Sequence, residues 1–253
     1  MSKKMSYLKR LPPHAQKRGD SSKGEAQIVT KRREVDEIEA ECADELSGSA
    51  LGRSGKRIGI LLEDEVRMLV RDPLRYPSGE SKCQMRIIGK TEYDGVNGVV
   101  VLAMLDGRFV LREIFRHPTR SWELEAVRGR RETGQTSRQA ARMEVKQELG
   151  YPLKRLRPLG KICPDSAIMS STLEMFLGDL GKGPPHDDPE PTEAFGDIVH
   201  LTPEELGARI VKGAVRDSYT IAALMSAQLR GFIAPVAIQA ADSAGQEPED
   251  NAG

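Results

Sequence analysis

The chain has 253 residues, 30% of them charged, and 38 Lys and Arg balance 38 Asp and Glu. That length suits one large domain or two small ones, and the neutral balance excludes a globally basic surface, so a nucleic-acid partner is not expected. Aromatic residues, at 4%, would supply few base-stacking platforms.

The three cysteines, Cys42, Cys83 and Cys163, are odd in number, far apart and without a C-x-x-C pair. They read as small packed hydrophobes in a reduced, cytoplasmic protein, not as a disulfide framework or a zinc site. No apolar run reaches the length of a membrane span, so no membrane partner is expected. The basic N-terminus lacks the apolar core of a secretory signal.

Residues 1–55 read as a basic, disordered extension. Lys3, Lys4, Lys9, Arg10, Lys17, Arg18 and Lys23 give it charge, and Pro12, Pro13, Gly19 and Gly24 interrupt any long period. A short helix is expected over 34–46 (EVDEIEAECADEL), then a Ser/Gly linker through 55. The folded domain is expected over 56–235. Strands are predicted over 57–62 and 65–71, where Val66, Met68 and Val70 alternate, with a turn at 75–79 and a further strand over 83–91. The β-branched run 96–104 returns through Asp106 and Gly107, a hairpin signal, into 108–115. A loop at 116–121 leads to a short strand over 122–127. Past residue 151, strands are expected over 153–163, 172–180 and 195–201, separated by a loop at 164–171 and a proline-rich acidic loop at 181–191. Thr202, Pro203 and Glu205 make a capping box for a helix running to about Val211. A last helix is predicted over 217–230, its apolar stripe being Ile221, Leu224, Met225 and Leu229. Residues 236–253 read as a disordered tail.

Residues 129–151 (GRRETGQTSRQAARMEVKQELGY) carry the chemistry. They run from a glycine turn through a segment of helical period to Gly150. Glu144, Gln147 and Glu148 are three and four apart, so they share one helical face. Two uncompensated carboxylates on adjacent turns repel each other. Their spacing makes sense if a hard divalent cation lies between them, since Mg²⁺ takes oxygen ligands and is commonly held by one or two carboxylates plus substrate phosphates.

The same stretch resembles the Nudix box: glycine, five residues, glutamate, seven residues, then Arg-Glu-aliphatic-x-Glu-Glu-x-Gly-aliphatic. Gly129, Glu144, Val145, Glu148, Gly150 and Tyr151 fit it, while Gln135, Met143 and Gln147 stand where the signature has Glu, Arg and Glu. The flanking segments 122–129 (WELEAVRG), 112–118 (REIFRHP) and 216–224 (RDSYTIAAL) are similar to the ADP-ribose pyrophosphatase branch of that family. The resemblance spans about residues 57–231. It implies an α/β/α sandwich with a mixed sheet, and a homodimer. It implies Mg²⁺- or Mn²⁺-dependent hydrolysis of ADP-ribose or a related nucleoside diphosphate-linked compound. Carried over residue by residue, the metal ligands are Glu144, Glu148 and the carbonyl of Arg128. Arg116, Arg112 and Arg128 become the candidate substrate-binding cations. The general base falls in the stretch before the last strand, with Glu193 first and Glu190 second, acting on a water that attacks phosphorus. His117 and His186 read as surface residues and His200 as a core histidine. The three departures leave a second reading open: a Nudix fold that binds a nucleotide or a protein partner as a sensor.

Overall fold

The computed structural model describes residues 3–45, 57–90, 95–183 and 194–236. Its strands are β1 (Gln27–Ile28), β2 (Gly59–Glu63), β3 (Arg67–Arg75), β4 (Ser81–Gly89), β5 (Val96–Leu105), β6 (Arg108–Arg116), β7 (Ser121–Glu125), β8 (Val127–Arg130), β9 (Leu153–Ile162), β10 (Thr172–Leu180) and β11 (Phe195–Leu201). The helices are α1 (Arg32–Glu45), α2 (Ser137–Leu149), α3 (Pro203–Val211) and α4 (Ser218–Leu229). Among the described residues, no helix is long and apolar enough to cross a membrane.

The larger sheet runs β11-β6-β5-β10-β9, with β7 added to β6 and β8 to β5. It is mixed: β5 and β10 are parallel and the other pairs antiparallel. The strand β5 is apolar on both sides, as a central strand covered on two faces must be. Val99, Val101 and Ala103 pack with Ala140, Ala141, Val145 and Leu149 of α2. Val100 and Leu102 pack on the other side with Leu206 of α3 and Ala223, Leu224 and Ala227 of α4. This is the α/β/α sandwich expected from the sequence. Asp106 and Gly107 both take positive φ, 47° and 81°, and close the β5–β6 hairpin.

Two expectations are corrected here. The face that α4 buries is Thr220, Ala223, Leu224 and Ala227, whereas Met225 and Leu229 are exposed. Small residues let the helix approach the crowded β5–β10 surface, so the stripe turns away from the longest side chains. The second correction is the N-terminal extension. Its described part, residues 3–45, is built into a four-stranded antiparallel sheet in which β3 pairs with β1, β2 and β4. A 3₁₀ helix, Lys3–Arg10, packs on β2, and α1 packs on β3 and β4. Met5, Leu8 and Leu11 are buried at spacings of three, the period of a 3₁₀ turn, with Val35 and Ile38 of α1 in the same cluster. The Tyr7 hydroxyl donates to buried Asp72, which also accepts Arg86 at 2.5 Å. The Ser/Gly linker and the tail beyond residue 236 lie outside the described residues.

The edge strand β9 is managed explicitly. Arg142 donates to the Leu153 carbonyl at 2.8 Å, Arg138 to that of Leu156 at 3.3 Å and Arg230 to that of Leu159 at 2.9 Å. Arginines from α2 and the end of α4 thus occupy main-chain acceptors that an incoming strand would use.

Because Met5 is fully buried, Met5→Ala should lower the unfolding free energy by about 2–5 kcal/mol, read by urea denaturation. A solvated arm would show a change within about 0.5 kcal/mol.

Candidate functional site

Strand β5 pairs with β6 only next to their hairpin, through residues 103–105 and 108–110. Beyond that point the two strands part. The segment 121–130 fills the gap by pairing first with β6 as β7, then with β5 as β8. At the corner, the Ala126 amide bonds the Thr220 hydroxyl at 2.8 Å instead of a strand neighbour.

Helix α2 is set against β8 by defined caps. Thr136 and Gln139 form a reciprocal capping box, and Gly150 ends the helix in the left-handed region at φ 70°. The Glu144 carboxylate rests on Gly129: a Cβ at that glycine would lie 1.9 Å from Glu144 Cδ. Behind it, a Cβ at Gly98 would lie 2.4 Å from the Gly129 carbonyl oxygen. Glu148 is 2% exposed, and its Oε1 accepts the Arg128 amide at 3.3 Å. The two carboxylates therefore meet β8 at consecutive residues, and the Arg128 carbonyl belongs to the peptide joining those contact points. Among the described residues, no group of three or more His, Cys, Asp and Glu gathers. Two carboxylates beside one carbonyl suit Mg²⁺, which fills its remaining positions with water and substrate oxygen.

The departures at residues 135 and 143 turn out to be one contact: Gln135 Nε2 lies 3.6 Å from Met143 Sδ. Gln135 also accepts the Glu132 amide at 3.1 Å, bracing the loop before α2. Gln147 is half-buried on the same helix.

The three candidate arginines are placed differently from one another. Arg116 is clamped on Glu125 by three contacts of 2.6–3.2 Å. Arg128 sends its side chain to Glu125 at 2.8 Å and Asp217 at 3.3 Å, and lies over the Tyr219 ring at 4.8 Å. Arg112 is buried, donates to the Glu148 carbonyl at 3.0 Å and stacks over Phe195 at 4.9 Å. It is an interior group. Glu190 and Glu193 lie outside the described residues.

Glu125, Asp217, Thr220 and Tyr219 escape sequence reasoning as site residues. Glu125 is 1% exposed and takes two arginines. Asp217 caps α4 through the Thr220 amide and hydroxyl while also pairing with Arg128. The signals of these four residues in the sequence are Asp217 as a helix start and the resemblance of the segments 122–129 and 216–224 that contain them. Burial raises the Tyr219 phenol above its ordinary value, with Asp217 adding and Arg128 opposing. Next to this network, Arg216 grips Glu123 with contacts of 2.6–3.2 Å, and Ser121 adds a hydrogen bond at 2.7 Å. The Arg216 guanidinium, helped by Ser121, holds the Glu123 carboxyl down at about 2.

A cavity of about 440 Å³ lies elsewhere, between residues 17–19 and 25–28, strands β3 and β4, and loop 166–170. Its charged walls are largely paired already, Arg86 with Asp72 and Lys17 with Glu25. The convergence of Glu144 and Glu148 on β8, not this cavity, marks the candidate site.

No protein-family model matches the chain, and no curated protein matches its sequence. Among solved structures, the fold is similar to the crystal structure of an ADP compounds hydrolase. The TM-score is 0.58 over 68% of this chain and 91% of that one, at 18% sequence identity. At that identity the likeness is one of fold.

Glu123 titrates below its ordinary value of 4.5 in the folded chain, so its pair with Arg216 stabilises fully above about pH 4.5 and ceases to do so as pH falls to about 2. Arg216→Met should therefore lower the urea midpoint at neutral pH, and the gap to wild type should close across that acid window.

Proposed function

We propose that the chain is a Nudix-type hydrolase that uses Mg²⁺ or Mn²⁺ to cleave the diphosphate of ADP-ribose or a related nucleoside diphosphate-linked compound. The observation that carries this reading is the meeting of Glu144 and Glu148 on the Arg128–Gly129 peptide. Glu144, Glu148 and the Arg128 carbonyl would hold the cation, which when bound neutralises charge on the diphosphate oxygens. The fold likeness to an ADP compounds hydrolase is in keeping with it.

The chain's own residues would contribute in three ways. Glu144 and Glu148 are held at fixed points on a strand, so binding costs little reorganisation. Arg116 is pre-aligned by Glu125 at the edge of the same corner, and its guanidinium would offer phosphate oxygens a planar, charged partner. Glu193, which precedes β11 in the chain, would be the base that takes a proton from the attacking water; the attack forms a new P–O bond and breaks the P–O–P bridge, leaving AMP and ribose 5-phosphate from ADP-ribose. A cytoplasmic homodimer accompanies this reading, and light scattering giving a monomer mass would remove the dimer.

The neutral Gln135–Met143 contact and the uncharged Gln147 favour the second reading, a nucleotide-binding sensor. The two are separated by incubating the purified protein with Mg²⁺ or Mn²⁺ and ADP-ribose, nucleotide sugars, NADH or nucleoside triphosphates. Turnover of an ADP-linked substrate is expected. Metal assistance supplies several kcal/mol, so Glu148→Gln should cut turnover on the order of 100-fold or more. Saturable nucleotide binding without product from any compound would replace the hydrolase with the sensor.

Gly129→Ala should expel the Glu144 carboxylate, since the new methyl falls about where its oxygens are. Mn²⁺ affinity, followed by electron paramagnetic resonance, should drop by roughly 10-fold or more, the usual cost of disturbing a ligand's support.

A further inference from the structure

Arg112 is a cation placed where cations are rare. It sits on β6, 6% exposed, in the central layer of the sandwich. Its partner is not a phosphate-facing surface but the carbonyl of Glu148, in the last turn of α2. The last four carbonyls of a helix have no partner within it, and a positive charge there is favoured by the helix dipole. Its guanidinium also covers the face of Phe195, the first residue of β11. In register, Arg112 lies opposite Glu125 on one side and Ile198 on the other. Its side chain thus joins the helix that carries Glu148 to the start of β11, while its backbone pairs with the strand that carries Glu125.

We infer that Arg112 is a positioning residue: it anchors the last turn of α2 from inside the sheet and so fixes the Glu148 carboxylate against the Arg128 amide. The anchoring is direct, because the bonded carbonyl and the placed carboxylate belong to the same residue. Residue 143, a methionine in contact with Gln135, offers no charge for this task. Arg112 acts through Glu148 and does not touch the substrate. The inference rests on the cation-site reading above and assigns Arg112 a role in that site which substrate binding would not give it.

The test uses the full chain with Arg112→Met, Arg112→Lys and Glu148→Gln. Three quantities are read: Mn²⁺ affinity, the kcat and KM of the substrate found by the panel, and amide hydrogen exchange in α2 without metal. Arg112→Met should weaken Mn²⁺ binding about 10- to 100-fold, the range for a lost outer partner of a metal ligand. It should lower kcat with KM within about twofold, because the support of the cation that acts on the reacting bond is weakened while no contact to the substrate is removed. Metal-free exchange should quicken in residues 146–150 and not in the first turn of α2. Arg112→Lys, which keeps one donor and the charge, should recover most of the Mn²⁺ affinity. A KM rise with kcat unchanged would return Arg112 to substrate binding and overturn the inference. So would a lowered thermal midpoint with Mn²⁺ affinity intact, which is the signature of a structural role alone. Wild-type Mn²⁺ affinity in Glu148→Gln overturns the cation site itself and this inference with it, whereas loss in Glu148→Gln without loss in Arg112→Met overturns only the inference.

Discussion

The contact between α2 and β8 at a strand residue that has no side chain, Gly129, is the constraint on which the site depends. A helix normally rides about 10 Å from a sheet because side chains fill the layer between. At Gly129 there is no side chain, and the Glu144 carboxylate takes the space a methyl would need. At Gly98, on the neighbouring strand, the Gly129 carbonyl takes the equivalent space. Three layers are thus nested at one point: strand, strand and carboxylate. The capping box at Thr136 and the left-handed Gly150 fix where α2 starts and stops, so the helix cannot slide to relieve the crowding. Two carboxylates one turn apart are brought to consecutive residues of β8 because the helix is pinned at both ends and the strand is bare in the middle.

The second organising element is charge buried where strands part. Glu125 faces the gap between β5 and β6 and draws Arg116 and Arg128 onto one carboxylate. Asp217 supplies the second negative charge, so two arginines meet two acids. A buried cluster of this kind adds little net stability, since desolvation offsets most of the attraction, but removing one member is costly because the others are left uncompensated. Its effect here is geometric. It fixes the corner where the chain passes from β6 to β5, and through Asp217 it sets the N-terminus of α4 against that corner. The N-terminal sheet uses the same device on a smaller scale, with Asp72 between Tyr7 and Arg86.

Much of this was readable in the sequence, and the reasons are physical. The strand at residues 172–180 and the helix at 203–211 are legible because period and caps are local. Glu144 and Glu148 are legible for the same reason: their relation is one helical turn. Glu125 with Arg116 is not, because strand register, not spacing along the chain, brings them together. Arg112 reads as a substrate residue through the resemblance of its segment, and the bond of its side chain to the Glu148 carbonyl depends on the packing of α2 over β6, which spacing along the chain does not reveal. The fold of the N-terminal segment is hard to read because its basic composition masks a period of three: Met5, Leu8 and Leu11 are buried while Lys9 and Arg10 between them face out.

The departures from the Nudix-like pattern also change meaning once the contacts are known. Taken singly, Gln135, Met143 and Gln147 are three losses of charge. In space, the first two touch, and relative to the signature they remove one negative and one positive charge together. That exchange leaves the net charge near the site unaltered, and the contact present here is between an amide and a polarizable thioether. Only Gln147 changes the net charge, by one. Glu144 and Glu148 still meet at one peptide whatever stands at residue 147. With a methionine at residue 143, a positive charge still reaches α2 from the sheet side, where Arg112 donates to the Glu148 carbonyl.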